Sequence, residues 1–476
     1  MRRTVPGPPL RAAALASTRL ALFLALGCAV WAASSLGDRW TSHQSVSGAL
    51  RLAVPAARPL PADEAGTART TRFLEERVRR DPGDAGAYDR LGASYLQTLR
   101  ETGSVQYLDL AARAARASLA SVPAVRNTAG LTVLALAEFA SHDFAAARAH
   151  ALELRRIDSS KSYPYAILGD ALLELGQYDR AAAAYAQMAR RSSGISTDTE
   201  TRAARLAQLH GDDAGAARHF SNALVLALAL PVPPREVVAW CHWQLGETAF
   251  AGGAYEAAEG HYRDALTVFP AYHRALASLG RVRAARGDLR GAIEQYEAAV
   301  RVLPDPLYVA ALGDAYQLSG RSGDAAAQYA LVRQIGRLSA LNGVLYNRSL
   351  ALFDADHGLE PEAAYANAKR EYRARRDVYG ADALAWTALK AHRVDEARAA
   401  IAQALRLGTH DARLWYHAAM IARAAGDPAS AGTYWRRALG LNPRFDPLQA
   451  ELGHKALAPA MGEPVGPALT VPYRTY

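Results

Sequence analysis

A chain of 476 residues is too long to enclose a single hydrophobic core, and by length alone it suggests about three domains. Half of its residues are hydrophobic but only 8% are aromatic; β-branched runs of period two are scarce, which argues against a sheet and for alanine-rich helices packed closely. The 55 basic and 46 acidic residues leave a net charge of +9, but no basic run or aromatic stacking motif goes with it, so nucleic-acid binding is not expected, and two cysteines, Cys28 and Cys241, exclude a disulfide framework.

At the N-terminus, Arg2, Arg3, Arg11 and Arg19 precede an apolar run from Leu20 to Leu36, which Asp38 and Arg39 close. The run is at the short edge of a membrane-spanning helix, about 20 residues, and slightly long for a cleaved signal. Ala32, Ala33 and Ser34 offer cleavage positions, and Ala25-Leu26-Gly27-Cys28 is faintly similar to a lipoprotein box. A retained anchor, a cleaved signal and a lipid on Cys28 all stay open. Each keeps the arginines in the cytoplasm and sends the rest of the chain across the membrane. Residues 1–39 are therefore read as signal or anchor. Residues 40–70, with Pro55, Pro59 and Pro61, are read as a linker. A helix from Thr70 to Arg80 is expected to cap the helices downstream of it.

The clearest periodicity runs from Ala239 to Pro304. Leu245-Gly246 recurs 34 residues later as Leu279-Gly280, and Ala258, Tyr262, Ala265 and Pro270 recur as Ala292, Tyr296, Ala299 and Pro304. This spacing resembles the tetratricopeptide repeat (TPR), a helix–turn–helix unit. Ten copies can be laid out on it, starting near residues 85, 128, 162, 197, 239, 273, 306, 344, 378 and 412. The first carries an insertion around Glu101–Ser104, and the eighth has Asp354–Gly358 as its inter-helix loop. Pro231, Pro233 and Pro234 interrupt the array, dividing it into sub-arrays at 71–227 and 237–457, with an extended tail over 458–476. Gly246, Gly280 and Gly313 are expected to let helix two come close through the small Ala258, Ala292 and Ala325. The expected fold is all-α: a right-handed superhelical solenoid behind an N-terminal hydrophobic segment.

The resemblance implies ligand binding in a concave groove lined by helix one of each copy. It maps there Trp240, Trp243 and Glu247, then Arg274 and Arg281, then Asp314 and Gln317, and finally Arg413, Tyr416, Met420 and Arg423. Trp240 and Trp243, three apart, share a helical face; they would anchor a peptide if exposed, or pack into the proline-rich break if not. Arg274 and Arg281 would hold a carboxylate of a bound segment or pair within the array. Tyr416 and Met420 would meet a ligand or the tail.

No HExxH, paired cysteines, carboxylate–histidine cluster of metal-ligand spacing, P-loop or Gly-x-Ser-x-Gly elbow is present. Cys241 and His242, adjacent on a helix, point about 100° apart and are poorly placed as nucleophile and base. The expectation is a non-enzymatic scaffold without metal or cofactor, exported or membrane-anchored, that binds a protein or peptide partner. The alternative is an envelope assembly or secretion accessory that holds clients as a chaperone does.

Overall fold

The computed structural model describes residues 55–341 and 347–457. The N-terminal apolar segment, with its anchor, signal and lipidation alternatives, and the tail from residue 458 lie outside the described residues. No helix among the described residues is long and apolar enough to cross a membrane.

The described chain is a run of helices without strands. α1 spans Glu64–Arg80. The first five helix pairs are α2 (Ala85–Thr102) with α3 (Gln106–Ser121), α4 (Thr128–Ala140) with α5 (Phe144–Ile157), α6 (Tyr163–Glu174) with α7 (Tyr178–Arg191), α8 (Thr197–Leu209) with α9 (Asp213–Leu228), and α10 (Arg235–Ala251) with α11 (Tyr255–Val268). The next five are α12 (His273–Ala285) with α13 (Leu289–Val302), α14 (Pro306–Leu318) with α15 (Ser322–Leu341), α16 (Asn347–Asp356) with α17 (Pro361–Ala374), α18 (Val378–Lys390) with α19 (Val394–Ala404), and α20 (Ala412–Ala424) with α21 (Pro428–Leu441). A last helix, α22, spans Gln449–Leu457. Eight of the ten pairs start within one residue of where the sequence period places them; α10 starts four residues earlier, at Arg235, and α16 is described from Asn347, three residues later than 344.

The turns explain why each pair forms. Gly211, Gly287 and Gly426 sit at positive φ, and the aspartate after each caps helix two, accepting from the backbone of the third residue on. The insertion in the first copy lengthens its helices instead of forming a loop: α2 has 18 residues where α4, α12 and α14 have 13.

Three local expectations need correction. The glycine of helix one makes room for the tyrosine of its own helix two, not for the alanine. A Cβ on Gly246 would lie 2.3 Å from the Tyr262 ring, and one on Gly169 or Gly313 would meet Tyr185 or Tyr329 as closely. α1 begins at Glu64, six residues before Thr70, because the segment ahead of it is docked. The Arg235 backbone N–H donates to Asp63 Oδ2, the Arg235 guanidinium pairs with Glu64 at 3.0 Å, and Ala57 and Leu60 pack on the core of the fourth to sixth copies. At the proline-rich break, Phe220, Leu224 and Ala227 share one core with Val238, Ala239 and Cys241. Packing is therefore continuous across residues 229–234.

Curvature arises from unequal spacing. In most successive copies helix one touches the next helix one, while among the described residues no helix two comes comparably near the following helix two. Helix one therefore lines the inner face.

The chain also returns alongside itself. Tyr178 Oη accepts from the Val378 backbone N–H at 2.8 Å, and Thr409 donates to the Leu209 carbonyl at 2.6 Å; each pair is separated by 200 residues. Glu174 pairs with Arg375, His410 with Asp213, and Tyr255 donates to Asn442 at 2.6 Å. A period of 34 makes this about six copies per superhelical turn. The turn glycines mark the seam. A Cβ on Gly176 would lie 2.2 Å from the Arg376 carbonyl and one on Gly211 2.9 Å from the Gly408 carbonyl, whereas Gly287, Gly320, Gly358 and Gly426 face open space. The inter-helix turns of the early copies thus abut the inter-repeat turns of copies about six further on.

Candidate partner-binding surface

The inner face is built on a recurring polar lock. The residue after the helix-one glycine is acidic in the third, fifth and seventh copies: Asp170, Glu247 and Asp314. The tyrosine of helix two, 15 residues on, reaches over the glycine and donates to that acidic residue's carboxylate in all three, at 2.8, 2.7 and 2.8 Å. The next copy supplies a further partner. Arg202 grips Asp170 with two parallel bonds of 2.9 and 2.6 Å, and Arg281 reaches Glu247 at 2.6 Å. His357 Nε2 lies 2.9 Å from Asp314.

At Glu247 the network extends. Oε1 also accepts from Ser278 at 2.8 Å, and Ser278 in turn accepts from the Trp243 indole N–H at 3.0 Å. Burial alone would raise the Glu247 pKa, but the Arg281 charge and the hydrogen bonds from Arg281, Tyr262 and Ser278 outweigh it and hold the carboxyl below its ordinary value. Arg281 also covers the Phe250 ring at 4.1 Å. Glu247, Arg281 and Asp314, expected to meet a ligand, are therefore bonded within the wall. Trp240 is half-buried, edge-on to Phe220 with ring centres 5.8 Å apart. Trp243 is half-buried as well.

The last copy differs more sharply from expectation. Tyr416 is 1% exposed and packs against Trp386 and Phe445. Arg413 pairs with Asp446 at 3.1 Å, and Gln449 donates to Asp356, which also accepts from the Trp386 indole. Residues 445–450 thus lie on this part of the face, and Tyr416 belongs to the core. Met420 is partly buried beside the same cluster, while Arg423 is exposed. Tyr416→Ala is expected to cost about 3–5 kcal/mol, as truncation of a large buried aromatic does, measured as a loss of denaturant resistance.

What remains open on helix one of the middle copies is a short strip. Arg274 is exposed, with its guanidinium 5.2 Å from the centre of the Trp243 ring. Gln317 is exposed, and so is Leu307, at 53%. Leu307 holds the same register, the second residue of helix one, as Arg274, and the periodicity alone would have pointed to it.

Catalytic chemistry is not assembled around Cys241. The residue is fully buried, and burial, helped by Glu236, pushes its thiol up to about 12.

The family comparison matches the tetratricopeptide repeat at residues 162–191 and 412–445, the third and tenth copies. These two stretches are tetratricopeptide repeats. Its fold is similar to that of a human IFIT1 dimer with PPP-AAAA, at 15% identity and a TM-score of 0.45 over 68% of this chain and 73% of that chain. It is also similar to PilW, a widely conserved type IV pilus biogenesis factor, at 17% identity and a TM-score of 0.37 over 43% of this chain and 91% of that chain. No curated protein matches. At these identities the likeness concerns the TPR fold alone. The tenth TPR copy is matched although Ala419 stands where the fifth has Gly246. Its helix two carries Trp435 where the third, fifth, sixth and seventh copies carry tyrosine.

Proposed function

We propose that this TPR protein is a non-enzymatic scaffold that holds a protein or peptide segment on the inner face of its fifth to seventh copies. We further propose that the arginine-flanked apolar run at its N-terminus exports the array or anchors it at a membrane. The observation that carries the binding reading is the exposed strip itself. Arg274 lies over Trp243, and Leu307 stands exposed one copy further on, while Glu247, Arg281 and Asp314 are paired within the wall. An aromatic with a cation above it and an apolar neighbour suits an extended segment with an acidic and an apolar side chain.

Photo-crosslinking in cells tests this. A crosslinker placed at Arg274 or Gln317 is expected to trap a discrete partner band, and one at the outer-face Arg301, whose side chain is 69% exposed, is not. Equal yields from inner and outer positions, or none from either, would refute the assignment. Arg274→Glu is expected to weaken capture at Gln317 while leaving the melting temperature unchanged.

A further inference from the structure

Two histidines and an aspartate in the fifth copy meet without forming the bonds that buried polar groups need. His242 lies on α10; His261 and Asp264 lie three apart on one face of α11. One ring nitrogen of each histidine and a carboxylate oxygen of Asp264 all lie within 4.8 Å of one another. His242 Nδ1 is 3.8 Å from Asp264 Oδ2, too far for a hydrogen bond. The His242 side chain is 3% exposed, and Nδ1 of both His242 and His261 is buried with no hydrogen-bond partner. Buried ring nitrogens are ordinarily satisfied, so two orphans beside one carboxylate call for an occupant.

We propose that His242, His261 and Asp264 bind a divalent transition-metal ion of the zinc class. Two imidazoles and one carboxylate are a borderline-soft donor set, suited to zinc and not to calcium or magnesium, which take oxygen ligands. Zinc–nitrogen and zinc–oxygen bonds of about 2.0–2.2 Å need donors roughly 3.4 Å apart, so the three groups would draw in by an ångström or less. The half-exposed Asp264 leaves the remaining coordination position to water. The ion would tie helix one to helix two within the copy that carries Trp240 and Trp243.

The sequence held half of this signal. His261 and Asp264 have the i, i+3 spacing of ligands on one helical face. Their third partner is 19 residues upstream, where its chain neighbour Cys241 drew attention to a different chemistry. The expectation of no metal-ligating cluster is therefore revised by the packing of α10 on α11.

The test is zinc titration of the chelator-treated full chain, followed by calorimetry and by metal analysis after dialysis. The wild-type chain is expected to bind one equivalent more than His261→Ala, with a rise in melting temperature that the variant lacks. Cobalt(II) is expected to give visible d–d bands in the wild type only. Asp264→Asn, on a half-exposed helix surface, is expected to weaken binding at least 10-fold with the helical circular-dichroism spectrum intact, which separates ligand loss from misfolding. Equal zinc binding by wild type and both variants would place the metal on other histidines and overturn the proposal. Failure of the wild-type chain to bind zinc would overturn it as well.

Discussion

Gly176→Ala is expected to lower the melting temperature several times more than Gly287→Ala, although both glycines occupy the same turn of their copies. Both sit in the left-handed region, at φ 71° and 84°. A side chain there costs about 1 kcal/mol or somewhat more in either copy. Only Gly176 faces the seam, where the added methyl would stand 2.2 Å from the Arg376 carbonyl. That contact cannot be relieved by rotating a side chain. The backbone must shift, and with it the Arg406 bond to the Gly176 carbonyl and the nearby Tyr178–Val378 bond. A total cost of about 3 kcal/mol or more is expected for Gly176→Ala, within the range for strain plus overpacking. Hydrogen exchange distinguishes the causes: protection of the Val378 amide should fall in Gly176→Ala and remain in Gly287→Ala. Equal effects from the two substitutions would mean that the contacts 200 residues apart contribute little in solution.

The second large effect is expected at Glu247. Removing its carboxylate leaves Arg281, Tyr262 and Ser278 without their shared acceptor, a half-buried guanidinium among them. Glu247→Ala should destabilise the fifth and sixth copies by about 3 kcal/mol, the scale of breaking a charge-assisted network. A Glu247→Met, Arg281→Met pair should recover much of the loss, because no orphaned charge remains and a methionine thioether can replace the guanidinium against the Phe250 ring. The pH dependence has a definite sign. The folded-state pKa of Glu247 lies below its unfolded value, about 4.3, so its contribution is present above that value and lost as pH falls through the folded one. Glu247→Gln should flatten that part of the acid limb of a stability–pH profile. An unchanged acid limb would show that the network does not couple to folding.

The helix pairs were legible in the sequence because each rests on local chemistry. A leucine–glycine step, an alanine and a tyrosine at fixed offsets, and a glycine–aspartate turn all lie within one 34-residue window. The fates of the groove residues were not legible for the complementary reason. Glu247 and Arg281 lie 34 apart, and whether they face a ligand or each other depends on how closely one helix one approaches the next. Tyr416 was lost to the core because Phe445 packs on it after the chain has turned past Pro443. The 200-residue contacts have no signature in the repeat at all. Gly176 and Gly287 read alike, and only the second superhelical turn tells them apart. Arg274 stays exposed because, among the described residues, no carboxylate of a later copy closes on it as Glu247 closes on Arg281, and the uncharged Gln317 has no charge to be paired.

The seam has a mechanical consequence. A solenoid whose copies touch only their neighbours behaves as a soft spring, yielding a little at every joint when its ends are drawn apart. Here the coil is clasped to itself by Glu174–Arg375, Tyr178–Val378, Leu209–Thr409 and Tyr255–Asn442. Pulled between its N-terminus and a partner, such a coil should resist stiffly until the clasps give way, and then lengthen abruptly under nearly constant load.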